Sequence, residues 1–266
     1  MGDRLKDKVA IVTGAGASGP GWGNGKATAV LFAREGAKVF GIDRNEAAVD
    51  ETAEIAKAEK IDFTPHIADI TDPDQIEALI ARCLERYGRI DILHNNVGIF
   101  ELGSIEKDRD YFEHVQLVNV TSMFLMTKAV VPRMIEQGDG GAIVNLASVA
   151  ATHYVGAPYS IYAATKSAVI GFTRAIALEH AAHRIRCNAI MPGVVNTPLA
   201  LEPIRKKVGD DEFQKILGQR DALVPIGRAA TGWDVAKAAL FLASDEASYV
   251  TATEIVVDGG LSAQFG

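Results

Sequence analysis

Between a short apolar run, Val9-Ala10-Ile11-Val12, and an amphipathic stretch from Ala27 to Arg34 lies Thr13-Gly14-Ala15-Gly16-Ala17-Ser18-Gly19-Pro20-Gly21-Trp22-Gly23-Asn24-Gly25-Lys26. Glycines so placed let backbone approach a ligand that any Cβ would hold away. A helix starting near Asn24 would aim its free N–H groups and positive dipole end at a phosphate. The same alternation continues beyond the loop. Val39-Phe40-Gly41-Ile42 precedes an amphipathic stretch from Glu46 to Lys57, and β-branched runs return at Ile90-Asp91-Ile92-Leu93, Ala142 to Leu146, Ile185 to Ile190 and Glu254 to Val257, with helical candidates between neighbours. That rhythm predicts an α/β fold, a doubly wound parallel sheet with helices on both faces.

At 266 residues, of which 48% are hydrophobic, the chain is long enough to bury one large core, and no repeat or Pro/Ser-rich linker divides it. A single domain over 1–266 is expected. Only Thr197 to Arg228 breaks the rhythm, mixing Pro198, Pro203, Gly209, Gly218 and Pro225 with charges, and it reads as a mobile excursion or lid. The formal charge of −7 argues against nucleic acid or an anionic membrane as partner, which leaves a small-molecule substrate. Met1 to Lys8 is charged without an apolar signal core, no uninterrupted apolar run would span a bilayer, and Cys83 and Cys187 sit in apolar segments as buried thiols. A cytoplasmic protein is expected.

The chemistry concentrates in Tyr162-Ala163-Ala164-Thr165-Lys166, downstream of Ser148. If Tyr162 opens a helix, its ring and the Lys166 ammonium share one face about a turn apart. A free tyrosine holds its proton to a pKa near ~10, and each unit of depression needs roughly 1.4 kcal/mol of differential stabilisation. Lys166 and a positively charged nicotinamide would supply it. At the end of the second strand, Asp43 can accept hydrogen bonds from adenosine ribose hydroxyls and repel a 2′-phosphate, which favours NAD over NADP.

In order along the chain stand the Thr13-Gly14 loop closing on Gly23-x-Gly25, Asp43, Asp69-Ile70 after the third strand, Asn95-Asn96-Val97-Gly98 after the fourth, Asn119, Ser148, Tyr162-x-x-x-Lys166, Pro192 to Thr197, and Val257-Asp258-Gly259-Gly260. This set resembles the classical short-chain dehydrogenase/reductase family nearly from end to end. The resemblance implies a Rossmann-type fold, NAD as cofactor, and direct hydride transfer between a secondary alcohol or ketone and the nicotinamide. Tyr162 would be the general acid/base, Lys166 would lower its pKa and bind the nicotinamide ribose, and Ser148 would orient the substrate oxygen. Asn119 would hold a water linking Lys166 to solvent. Gly14, Asn24 and Gly25 would cradle the pyrophosphate, with Asp43 at the ribose and Asp69 and Ile70 at the adenine. Asn95 and Gly98 would support the adenosine side, while Pro192, Val195 and Thr197 would hold the carboxamide. A homotetramer is also implied. Apolar residues on more than one face of the Tyr162 helix, including Ile170, Phe172 and Leu178, supply its contacts, and the tail Leu261 to Phe265 could pack across an axis.

Two departures stand out. The glycine loop has about five extra residues around Pro20, Gly21 and Trp22, and Val97 replaces the family's usual alanine. Trp22 would either shield the pyrophosphate or pack on a neighbouring loop. Tyr159 and Lys166 also satisfy the wider spacing of enoyl-thioester reductases, which keeps enoyl reduction as an alternative. A non-catalytic nucleotide-binding subunit is a third reading, opposed by the full set Asn119, Ser148, Tyr162 and Lys166. His180 and His183 fall at a helix end without further ligands, so no metal site is expected. Phe100, Val149, His153, Tyr159, Gly193-Val194 and the excursion after Thr197 would line a mostly apolar pocket, suited to a cyclic or acyl secondary alcohol.

Overall fold

A computed structural model describes residues 2–100 and 103–264. Phe265 of the tail and the initial Met1 lie outside the described residues. The first half runs β1 (Val9–Thr13), α1 (Asn24–Arg34), β2 (Lys38–Asp43), α2 (Glu46–Glu59), β3 (Phe63–Ile67), α3 (Pro73–Tyr87) and β4 (Ile92–Asn95). A long helical run follows, made of α4 (Arg109–Gln116), a π-helical turn (Leu117–Thr121) and α5 (Ser122–Gln137). Then come β5 (Gly141–Leu146), α6 (Ser160–Glu179), β6 (Ile185–Pro192), α7 (Pro198–Arg205), α8 (Asp210–Ala222), α9 (Gly232–Ala243) and β7 (Glu254–Val257).

The seven strands form one parallel sheet in the order β3-β2-β1-β4-β5-β6-β7. Strand order reverses between β1 and β4, and in such sheets ligands bind outside the carboxyl ends at that point. Successive residues of a strand face opposite ways, so each central strand feeds two cores. Val12, Val39, Ile92 and Val144 pack with Phe32 of α1 and Leu240 of α9. Ile11, Ile42, Leu93 and Ile143 pack on the other face with Leu79 of α3 and Met126 and Met134 of α5. Each fully buried side chain of this kind contributes about 1.5–3 kcal/mol, enough together to set the layer order.

The structure departs from the sequence expectation in three places. β3 carries Pro65 amid Thr64 and His66, so no apolar run marks it; it survives because an edge strand tolerates a missing donor. β4 starts at Ile92, later than the Ile90 run, because the Asp91 carboxylate is used to accept Val9 N–H at 2.8 Å. The excursion after Thr197 is largely helical. Pro198 occupies the first turn of α7 and Gly209 precedes α8 as its N-cap, positions where helices accept them.

The run from 109 to 137 reaches the length and mean hydropathy of a membrane span, but Lys128 and Arg133 interrupt it and half of that stretch is buried within the fold. On β4, His94 is fully enclosed beside Phe32, with ring centroids 6.2 Å apart, and neither ring nitrogen has a hydrogen-bond partner. Burial pushes its pKa down to about 4.

Candidate active site

The glycine loop leaves β1 through Gly14, whose φ of +66° suits a residue without a Cβ. Gly25, in the first turn of α1, cannot be replaced in place: a Cβ there would lie 1.9 Å from the Gly14 carbonyl oxygen and 2.4 Å from Asn96 Nδ2. The amide of Asn96 closes the same cradle by donating to the carbonyls of Thr13 and Gly14 at 3.2 and 3.3 Å. Asn24 Oδ1 is buried without a partner at the start of α1, beside N–H groups that no earlier turn can satisfy. A glycine cradle and a helix N-terminus with free N–H groups fit a pyrophosphate.

Trp22, at the tip of the extra loop, packs on Trp233 of α9 with centroids 4.6 Å apart. Lys26 lies under it, 5.1 Å from the ring, and ion-pairs with Glu51 at 2.7 Å. Trp22 thus packs against a neighbouring element. The loop also reaches the segment after β6. A Cβ on Gly19 would stand 2.6 Å from Glu202 Cγ of α7.

At the end of β2 the Asp43 carboxylate is oriented by two backbone donors, Gly16 N and Asn45 N, both at 3.0 Å. Asp69 is held by Thr71, whose N–H and hydroxyl both donate to Oδ1, and Ile70 beside it is buried. Asn95 turns inward. Its Nδ2 donates to Asn145 Oδ1 at 2.9 Å and to Thr127 Oγ1 at 3.3 Å, bracing β4 to β5 and α5, while its Oδ1 is buried without a partner. Gly98 lies beside the Lys166 group, where a Cβ would be 3.2 Å from Lys166 Nζ and 3.5 Å from Asn119 Oδ1.

Tyr162 lies in the first turn of α6, and Lys166 follows one turn later with Nζ 5.7 Å from the phenol ring centroid. The Lys166 ammonium donates to the Leu146 carbonyl at the end of β5, 2.7 Å away. Ser148 accepts Ala150 N–H at 3.2 Å, which leaves its own proton to donate toward the Tyr162 oxygen that it contacts. Burial pushes the Tyr162 phenol up to about 12, against the Ser148 hydrogen bond, and pushes Lys166 down to about 8. Desolvation thus outweighs the Ser148 hydrogen bond.

Asn119 sits in the π-helical turn, a feature that recurs at functional sites and that no motif announces. Its Oδ1 accepts Ile99 N–H at 2.8 Å, and its Nδ2 donates to the Ile99 carbonyl and to Thr165 Oγ1. The amide is committed to bracing the segment after β4 against α6. Phe100, Tyr159 and Tyr162 form an aromatic wall, with centroids about 6 Å apart in each pair. After β6, Val195 and Thr197 are buried, and Thr197 begins α7 without spending its side chain on the cap. Arg220 of α8, which sequence reasoning passed over, donates to Asn196 Oδ1 at 2.8 Å and to the Val195 carbonyl at 2.9 Å.

Fold and site together define a Rossmann-type oxidoreductase. Residues 19–262 match the family model described as Enoyl-(Acyl carrier protein) reductase. The chain belongs to the classical short-chain dehydrogenase/reductase family, whose members use nicotinamide cofactors. It is 39% identical to the 3-oxoacyl-[acyl-carrier-protein] reductase FabG of Thermotoga maritima, over 97% of this chain and 99% of that protein. Among solved structures it resembles a protein described as a short-chain dehydrogenase/reductase from Burkholderia xenovorans, with TM-score 0.94, 45% identity and coverage of 99% and 100%. It also resembles levodione reductase, with TM-score 0.89, 35% identity and coverage of 98% and 100%.

Proposed function

We propose that the protein is an NAD(H)-dependent oxidoreductase that interconverts a secondary alcohol and a ketone, with Tyr162 as general acid/base. The observation that carries this reading is the packing of Ser148, Tyr162 and Lys166 into one group at the carboxyl edge of the sheet. Bound nicotinamide would supply or accept the hydride. Ser148 and Tyr162 would both donate to the substrate oxygen, and a phenol held near 12 keeps its proton at neutral pH, as ketone reduction needs. Lys166 would bind the ribose hydroxyls and help to withdraw charge from the phenolate. Asn119 would steady the wall behind them. Asp43, already fixed by two backbone donors, would take the adenosine ribose and disfavour a 2′-phosphate, so NAD should be preferred by at least about tenfold.

A second reading, enoyl-thioester reduction with Tyr159, draws support from the description of the matched family model. Tyr159 stands just before α6, 6.2 Å from Tyr162 between ring centroids, and the Ser148 contact belongs to Tyr162 instead. The test is turnover of NADH and NADPH with 3-oxoacyl thioesters, enoyl thioesters, cyclic diketones and sugars. Tyr162→Phe should abolish ketone reduction and keep NADH binding, because only the transferable proton and its oxygen are lost. Activity retained in Tyr162→Phe but lost in Tyr159→Phe would promote the enoyl reading. Binding of NADH with no turnover across the panel would leave a nucleotide-binding subunit.

A further inference from the structure

The turn after β6 is held from two sides. On one, Val195 forms an isolated parallel bridge with Ala230, Asn196 N donates to the Ala230 carbonyl at 2.8 Å, and Ala230 N donates back to Val194 at 2.9 Å. On the other stands a single side chain. Arg220, from the last turn of α8, reaches both the Val195 carbonyl and the Asn196 side chain. The adjacent Asp221 makes no hydrogen bond to it, accepting Ala229 N–H at 2.7 Å instead, although its charge favours the guanidinium. Arg220 is half-buried, and desolvation holds its guanidinium below the usual range. A cation kept in that position on neutral acceptors is costly unless its geometry is used.

We propose that Arg220 is a positioning residue for the nicotinamide end of the cofactor site, acting through the Val195–Thr197 turn, and that it ties α8 to that turn. This rests on the nicotinamide-dependent reading above. The Val195 carbonyl accepts two donors, Arg220 from α8 and Thr197 N at 3.1 Å, so the guanidinium closes the turn from which the Thr197 hydroxyl emerges uncommitted. Two parallel bonds from a planar fork fix direction as well as distance; a lysine can replace one of them at most. Without Arg220, α8 keeps its Asp221 anchor but the turn loses its outer wall. The helix would stay folded while the turn wandered.

The experiment measures the dissociation constants of NADH and of its 3-acetylpyridine analogue, in which a methyl ketone stands where the carboxamide was, for the wild type, Arg220→Ala, Arg220→Lys and Asp221→Asn. Backbone hydrogen exchange of 194–197 is followed on the same proteins without cofactor. Arg220→Ala should weaken NADH by roughly tenfold, well short of the two charge-assisted bonds lost because they act on the cofactor only through the turn, and should erase most of the preference for the carboxamide. It should also speed exchange at 194–197 while α8 remains protected. Arg220→Lys should recover part of the preference, and Asp221→Asn should leave it intact. Equal weakening of both cofactors in Arg220→Ala and Asp221→Asn would overturn the proposal and reduce Arg220 to a helix anchor. So would unchanged binding in Arg220→Ala. Failure of the wild type to bind NADH or NADPH would instead defeat the nicotinamide reading itself.

Discussion

His94 shows what one enclosed side chain implies for the whole protein. Folded, it resists protonation down to about 4; released by unfolding, it takes a proton at the ordinary value near ~6.5. Its neutral form is therefore compatible with the fold at every pH above ~6.5, and stability drains away as pH falls from there toward 4, by up to about 3 kcal/mol. His94→Phe, which keeps a ring against Phe32, should remove that slope. Urea midpoints at neutral and mildly acid pH would check it, and an unchanged slope in the variant would mean that other groups drive the acid loss. At this scale the meeting of Tyr162 and Lys166 was legible, because their spacing puts them a turn apart on one helix. Contacts between distant segments were not. Asn96 closing on Gly14, Asn119 on Ile99 and Arg220 on Val195 are pairings made by the tertiary fold, and no local pattern announces them.

Among elements, the strand-to-helix junctions were legible and the excursion after β6 was misread. Its prolines and glycines suggested broken structure, yet Pro198 and Gly209 occupy helix starts, where the same residues are tolerated. α7 and α8 also differ in how they are held. α8 is pinned to the β6 turn through Arg220, whereas α7 carries an exposed Leu199 and meets the glycine loop at Gly19. Amides of α7 should thus exchange faster than those of β1 in the free protein and slow on addition of NADH with a substrate analogue; equal protection from the start would remove the lid from the account. Gly25→Ala tests the other wall. Its Cβ would drive into the Gly14 carbonyl, so the start of α1 must shift, with loss of dinucleotide binding and about 2 kcal/mol or more of stability, read by fluorescence titration and urea melts.

Across the whole molecule, the parallel sheet and its two helical layers followed from the alternation of strands and helices, while the strand order did not, and β3 was marked only by the resemblance because an edge strand needs no apolar run. One apolar face is left over. Phe112, Leu117, Phe124 and Leu178 are exposed on the α4–α5 run and α6, and Phe124 meets Phe172 edge-on at 6.2 Å. We propose that this face is covered by a second copy in a homotetramer. Light scattering should report four 28.3 kDa chains, and Phe124→Glu with Leu178→Glu should reduce that mass; a monomer at micromolar concentration would refute the assembly. Pro65 adds a constraint on how copies can meet. It removes an outward donor from β3 at one edge of the sheet, whereas β7 at the other edge, where Val256 is exposed, carries no proline among the described residues. A molecule with one usable edge can join a second through it and then has none left. Strand-to-strand growth would then stop at a pair, so Pro65 works against open fibres.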